Sequence, residues 1–244
     1  MSLTYAELKE VLAKVQKPAQ YLGEEWQAVK KKHALLSMAL VFPDLYEVGM
    51  ASLGWQILYE IINRHSLYKA ERIFAPAADM EKLLIEKGLK PFSLESKKFI
   101  DEFDIVGFSV AHELNYTNVL NLLSLGKIPL HTSKRDEKFP LIIAGGPGIA
   151  NPLPLKPFMD AFFIGEAETV IIKLLDLVYF SQKQGFKKEE LLLKLATVPG
   201  IYVPSVGNKV KKQTFTGFSS QIYPEKPIVP NTETVHNRLT VEIM

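Results

Sequence analysis

From residue 35 onward the sequence repeats one pattern: an apolar run, a turn signal, then an amphipathic helix. That alternation constrains the fold more than any other feature. Leu35 to Phe42 is almost continuously apolar, as expected of a strand covered on both faces, and Pro43-Asp44 ends it. A helix is predicted from Ser52 to Arg64, with Leu53, Ile57 and Ile61 inward, and also Trp55, Leu58 and Ile62. Further strands are predicted at Ala70–Ala75, at Pro91–Leu94 (short), at Asp104–Val110 (central), at Leu141–Ala144 and at Ala161–Ile164. Helices are predicted at Asp79–Gly88, Asn115–Leu125 and Thr169–Ser181. Strands alternating with helices specify an α/β fold, a parallel sheet with helices on both faces. Such sheets bind ligands beyond the carboxyl ends of their strands, near the point where the strand order reverses. The segments 43–52, 109–116, 145–151 and 165–168 are therefore the candidate binding loops.

The flanks read differently. Thr4-Tyr5-Ala6-Glu7 is a capping box, and Leu8, Val11, Leu12 and Val15 line one face of the short helix it opens. This helix stops before Pro18. Lys30-Lys31-Lys32 reads as a solvated entry to the first strand rather than a phosphate site. Residues 1–34 are thus a helical lead-in and 35–184 the sheet domain. Residues 185–216 form an extension, a helix at Lys187–Ala196 followed by a hairpin of Ile201–Val203 with Lys209–Phe215 around Gly207-Asn208. Pro224, Pro227 and Pro230 mark 217–238 as a linker. Residues 239–244 alternate apolar and polar like a new strand, and a second domain is expected to begin there.

Composition narrows the function classes. At 244 residues the chain can bury a substantial core without disulfides or metals. Its formal charge of +2 gives no support for a nucleic-acid or anionic-membrane partner. Cysteine is absent, which excludes disulfides, thiolate metal sites, cysteine nucleophiles and cysteine-ligated iron–sulfur clusters within these residues. The five histidines are scattered without metal-ligand spacing, so no metal site is expected. No signal-peptide core and no apolar run near the ~20 residues of a membrane span are present, so a soluble cytoplasmic protein is expected.

Four loops carry candidate chemistry. Asp44-Leu-Tyr46-Glu-Val-Gly49 leads from the first strand into a helix, and its glycine would let the backbone approach a bulky ligand. The bland alternative is a turn with Asp44 as a local cap. Gly145-Gly146-Pro147-Gly148 follows a buried strand. It leaves bare backbone for a planar group or a ribose, or it is simply a tight turn. It is not a dinucleotide fingerprint, since proline interrupts it and no helix follows. Ser109 ends the central strand with His112, Glu113, Asn115 and Tyr116 just beyond. His112 and Glu113 are candidates for acid–base or metal work, against the commoner reading of a solvated loop histidine. Ser109 lacks a nucleophile-elbow motif, which argues against a hydrolase. Gly165-Glu166-Ala-Glu168 opens a helix, where carboxylates in the first turn suit the helix dipole without any ligand.

In order along the chain, these loops resemble the N-terminal region of cobalamin-binding-domain radical SAM proteins. The likeness rests on Phe42-Pro43-Asp44-Leu45-Tyr46-Glu47-Val48-Gly49-Met50, on Glu113-Leu114-Asn115-Tyr116-Thr117-Asn118-Val119-Leu120 and on Val241-Glu242-Ile243-Met244. It rests also on Gly-Phe-Ser109 at the central strand, Ala-Gly145-Gly146-Pro147 at the next and Ile-Gly165-Glu166 at the last. It covers nearly the whole chain from residue 18. The resemblance implies a Rossmann-like, flavodoxin-type cobalamin fold, with the corrinoid over the strand ends and its nucleotide tail in a slot beside the sheet. Asp44, Tyr46 and Gly49 would form the lower-face loop. Ser109, Glu113 and Asn115 would line the central edge and the tail slot. Gly145, Gly146, Pro147, Gly165 and Glu166 would flank the tail.

The resemblance also implies that the sequence continues into a radical SAM barrel, whose Cys-x-x-x-Cys-x-x-Cys loop holds a 4Fe-4S cluster that cleaves S-adenosylmethionine. That barrel is the expected partner, and the substrate is not legible. The region by itself is not expected to be catalytic. The intact protein is expected to be a radical SAM enzyme, of methyltransferase or rearrangement type. One position departs from the family pattern. Many cobalamin domains read Asp-x-His-x-x-Gly, where the histidine ligates cobalt and the aspartate tunes it. Here Tyr46 stands in its place, and a phenol of pKa ~10 is a poor ligand at neutral pH. His112 is the alternative ligand. Two other readings stand beside the corrinoid one: a non-catalytic interaction domain with a relict site, and a stand-alone enzyme using His112 and Glu113.

Overall fold

The computed structural model describes residues 2–215 and 224–236. Its centre is a six-stranded sheet built from β1 (Leu36–Phe42), β2 (Tyr68–Phe74), β3 (Ile105–Ser109), β4 (Leu141–Gly145), β5 (Ala161–Phe163) and β6 (Ile201–Tyr202). The strand order is β2-β1-β3-β4-β5-β6. The first five strands are parallel, with Leu36 opposite Tyr68, Met38 opposite Ile105, Ile105 opposite Leu141 and Ile143 opposite Ala161. Only β6 is antiparallel. The 2-1-3-4-5 order is that of flavodoxin-type folds, and it reverses between β1 and β3.

The helices are α1 (Tyr5–Leu12), α2 (Ala19–Leu22), α3 (Tyr46–Gly49), α4 (Leu53–Arg64), α5 (Ala78–Lys87), α6 (Tyr116–Leu125), α7 (Ile171–Gln184) and α8 (Lys188–Leu195). All seven residues of β1 are buried, and its six apolar residues alternate between two cores. Leu36, Met38, Leu40 and Phe42 pack with Trp55, Tyr59 and Ile62 of α4, Leu174 and Val178 of α7 and Leu195 of α8. Ala39 and Val41 pack on the other face with Val119, Leu122 and Leu123 of α6. Helices thus cover both faces, as the unbroken apolar strand required. A third cluster joins Leu8 and Val11 of α1 to Met80, Leu83 and Leu84 of α5. The capping box forms as predicted: the Glu7 amide donates to Thr4 Oγ1, and the Thr4 amide donates to Glu7 Oε2.

Three local expectations are corrected. Pro91–Leu94 is not a sheet strand. It turns back on itself, Phe92 bridging Phe99 and the Ser93 amide donating to Lys98 O, and it reaches β2 through the Leu94 amide, which donates to Arg72 O, and the Ser93 hydroxyl, which donates to Glu71. The two arms around Gly207-Asn208 do not form a hairpin. Ile201–Tyr202 instead pairs with Phe162 and Phe163 of β5. The cause is the Asn208 side chain: its Oδ1 accepts from the Val203 amide and its Nδ2 donates to the carbonyls of Ala196 and Ile201, taking groups a facing strand would have used. Finally, α7 begins at Ile171, so Glu166 lies before the helix and not in its first turn. The strand expected at 239–244 lies outside the described residues.

Candidate functional site

The reversal of strand order puts the loop after β1 beside the loop after β3, and side-chain amides stitch them together. Asn115 Nδ2 donates to Pro43 O at 3.3 Å and to Asp44 Oδ2 at 3.2 Å, and Asn118 Nδ2 donates to Pro43 O at 2.9 Å. Asp44 Oδ1 accepts from the Leu45 amide at 2.8 Å, so this carboxylate caps its own turn while holding Asn115. The next loop pair is joined by backbone: the Val110 amide donates to Gly145 O at 2.8 Å and the Gly148 amide to Val110 O at 3.0 Å. The Tyr116 hydroxyl donates to Gly148 O at 2.6 Å. Burial raises the Tyr116 phenol pKa, and the charge of Glu113 adds to the shift, so the group remains a donor.

Two kinds of candidate residue separate by exposure. Ser109, Gly145, Gly146 and Gly165 are half-buried at the strand ends, and His112, Glu113, Pro147 and Glu166 are exposed beside them. Together they form a rim along the carboxyl edge of β3, β4 and β5. Tyr46, Gly49 and Asn115 are buried and serve the interior. Gly165 turns with φ +109°, and a Cβ there would sit 2.0 Å from Gln213 O. Residues 213–215 pass along this tip. The Gln213 amide donates to Ile164 O, the Glu166 amide donates to Gln213 O, and Glu166 Oε2 accepts from the Phe215 amide. Glu166 therefore holds the passing chain, a role the helix-dipole reading did not anticipate.

Tyr46 is 1% exposed and its ring meets Phe74 edge-on, with centroids 5.4 Å apart. Its hydroxyl donates to Glu25 Oε1 at 3.1 Å and accepts from the Asn231 amide at 3.0 Å. Burial, then the charge of Glu25, raises this phenol pKa well above the ordinary tyrosine range. Sequence reasoning missed what lies behind it. Arg72, 1% exposed, pairs through Nη2 with Glu25 Oε2 at 2.7 Å and through Nε with Glu95 Oε1 at 2.6 Å. Its guanidinium lies over the rings of Trp55 and Tyr59, 5.9 and 5.7 Å from their centroids. The signal was present in the sequence: a Glu71-Arg72 pair inside a strand that is otherwise mostly apolar needs buried partners. Among the described residues no three His, Asp or Glu side chains converge as a metal site would require.

The family described as radical SAM proteins, N-terminal, matches residues 54–204, more than half of the chain. The chain belongs to that family. In this radical SAM N-terminal region the rim residues from Ser109 to Glu166 all fall within the matched span. Asp44, Tyr46 and Gly49 precede it. No curated protein gives a significant match. Two solved structures are similar in part. One is the cobalamin-dependent S-adenosylmethionine radical enzyme OxsB with aqua-cobalamin and S-adenosylmethionine bound, at 19% identity, with a TM-score of 0.47, over 79% of this chain and 24% of that one. The other is the radical S-adenosylmethionine methyltransferase TsrM from Kitasatospora setae with tryptophan substrate and a SAM analogue bound, at 14% identity, with a TM-score of 0.41, over 68% of this chain and 28% of that one. The region thus spans about a quarter of the length of either enzyme. No helix among the described residues is long and apolar enough to cross a membrane.

Proposed function

We propose that this region binds a corrinoid over the carboxyl edge of its sheet and presents it to a radical SAM barrel elsewhere in the same protein. The observation that carries the reading is the pair of loops at the β1/β3 reversal, fixed against each other by Asn115 and Asn118 and bordered by an exposed rim at His112, Glu113, Pro147 and Glu166. The residues fit such a ligand unequally. Ser109 and Glu113 would offer a hydroxyl and a carboxylate to the amide-bearing periphery of a corrin, and the exposed Pro147 would meet its edge, whereas the space beside Gly145 and Gly146 is taken by Phe163 and the Val110 backbone. Gly165 and Glu166 are taken up by the chain's own residues 213–215, and a nucleotide tail would pass outside them. Asp44 and Asn115 act one step back, fixing the two loops against each other.

Tyr46 does not fit a ligand's role, because its hydroxyl is turned inward and already has both a donor and an acceptor partner. The cofactor would therefore be held without a protein ligand from that position. Bound cobalamin supplies group-transfer chemistry that no side chain here can. The protein's part is to hold it, orient it and limit water at its exposed face. The barrel, with its 4Fe-4S cluster and S-adenosylmethionine, would perform the radical step, and a reducing cytoplasm is the compartment that suits such a cluster.

The test is to mix the protein with hydroxocobalamin, desalt, and record the visible spectrum. Retention is expected, with an absorption spectrum unchanged by Tyr46→Phe because no bond to cobalt involves residue 46. Absence of retention at micromolar protein and excess cobalamin rejects the reading in favour of an interaction domain with a relict site.

A further inference from the structure

Three stretches far apart in sequence meet at the Tyr46 hydroxyl: residues 23–26 of the lead-in, the loop after β1, and residues 228–235. The Val229 amide donates to Trp26 O at 3.1 Å, Asn231 Nδ2 to Gly23 O at 2.8 Å and the Val235 amide to Glu47 O at 3.2 Å. The Asn231 amide donates to Tyr46 itself at 3.0 Å. Ile228 is buried in the same core as Tyr46, yet Trp26, Val229 and Val235 on either side are exposed. The segment is therefore attached chiefly through a line of hydrogen bonds rather than by a broad apolar seat. Such attachments open locally at low free energy.

The polarity of the line is fixed. Glu25 and Glu95 both pair with Arg72, and Glu25, the carboxylate nearest the phenol, accepts the Tyr46 proton. The phenolic lone pair is left for the Asn231 amide. A hydroxyl in this position relays one arrangement only: if the loop after β1 shifts, the acceptor of Asn231 shifts with it.

We propose that the loop 43–50 and the segment 228–235 open and close as one unit, pinned by Tyr46. At the position where the family pattern has a cobalt ligand, this chain has a residue that couples the loop after β1 to the segment running past it. The coupling goes beyond the corrinoid reading and does not depend on it. By linkage, whatever displaces one partner must weaken the hold on the other by the same factor.

Amide hydrogen exchange on the whole protein tests this. Tyr46→Phe keeps the ring and removes the hydroxyl. The amides of Val229, Asn231 and Val235 are expected to exchange about five- to tenfold faster, the size of one lost hydrogen bond, and those of Gly49 and Met50 by a similar factor. Amides of β1, β3 and β4 are expected to keep their rates. Asn231→Ala guards against a general loss of stability, because residue 231 is exposed and its side chain reaches only Gly23 O. It is expected to speed exchange at Gly49 and Met50 although it touches neither. Unchanged loop amides in Asn231→Ala, or acceleration confined to one of the two segments in Tyr46→Phe, overturns the proposal.

Discussion

Arg72 shows how a single residue can make a strand intolerant of change. It is enclosed by two carboxylates and two aromatic faces with 1% of its surface exposed. Burial lowers the pKa of such a group, but Glu95 and then Glu25 more than offset this, so the guanidinium stays charged. Removing it strands two buried anions, which is costlier than never having had the cluster. Arg72→Met is expected to lower unfolding free energy by about 3–5 kcal/mol in urea titration. A loss under about 1 kcal/mol would mean that water reaches the carboxylates. Lys97 sits beside the same cluster, donating to Leu22 O and Leu94 O. Burial pulls its ammonium from the ordinary 10.5 down to about 8, against the attraction of Glu95 and Glu25. Between these values the unfolded chain carries a proton that the folded chain has released. Stability from this group therefore rises with pH across that window and is lost as pH falls through about 8. The stability difference between the wild type and Lys97→Met should grow in favour of the wild type from pH 7.5 to pH 10. A difference independent of pH contradicts the assignment.

At the scale of the element, close packing decides which glycines matter. A Cβ at Gly49 in α3 would lie 2.3 Å from Phe74 Cε1 and 3.1 Å from Phe42 Cδ1. Phe74 has little room to swing, because Tyr46 and Trp55 both meet it edge-on. A Cβ at Gly54 in α4 would meet nothing within 4 Å. Gly49→Ala is expected to destabilise by about 1–3 kcal/mol through overpacking. Gly54→Ala should stabilise by about 0.5–1 kcal/mol by restricting the unfolded chain. Melting temperatures should move in opposite directions, and shifts of one sign would refute the packing argument. The same contrast explains what the sequence disclosed. β1 and β3 were legible because an unbroken apolar run in an α/β alternation has only one place to go, and α1 because its cap is written in adjacent residues. The hairpin expectation failed because its fate turned on Asn208, whose three side-chain hydrogen bonds reach back 5, 7 and 12 residues and leave no periodic trace. In the candidate site, the rim residues could be found from their place just after strands. The inward turn of Tyr46 could not, since it depends on Glu25 and Asn231, 21 residues before it and 185 after.

The whole molecule is held by cores of unequal standing. β1 faces the first with Leu36, Met38, Leu40 and Phe42 and the second with Ala39 and Val41, so neither can open without exposing the other. The third, between α1 and α5, shares no strand with them. Beyond its own side chains it is tied down by single hydrogen bonds, such as the Leu3 amide to Lys97 O and the Gln16 amide to Asp79 Oδ2. A small cluster attached in this way should open by itself, below the free energy of global unfolding. Native-state hydrogen exchange in low urea should therefore give amides of α1 a lower opening free energy than amides of β1, β3 and β4, which should track the global value. Val11 is wholly buried in the third cluster, and Val11→Ala leaves a cavity there. The variant should raise exchange throughout α1 and α5 by at least about tenfold, corresponding to a loss above about 1.4 kcal/mol, while β3 and β4 keep their rates. Equal acceleration in β3 would show that the lead-in helix is part of the central cooperative unit. Independent opening would place the lead-in outside that unit, as expected of a cluster that shares no strand with the two central cores.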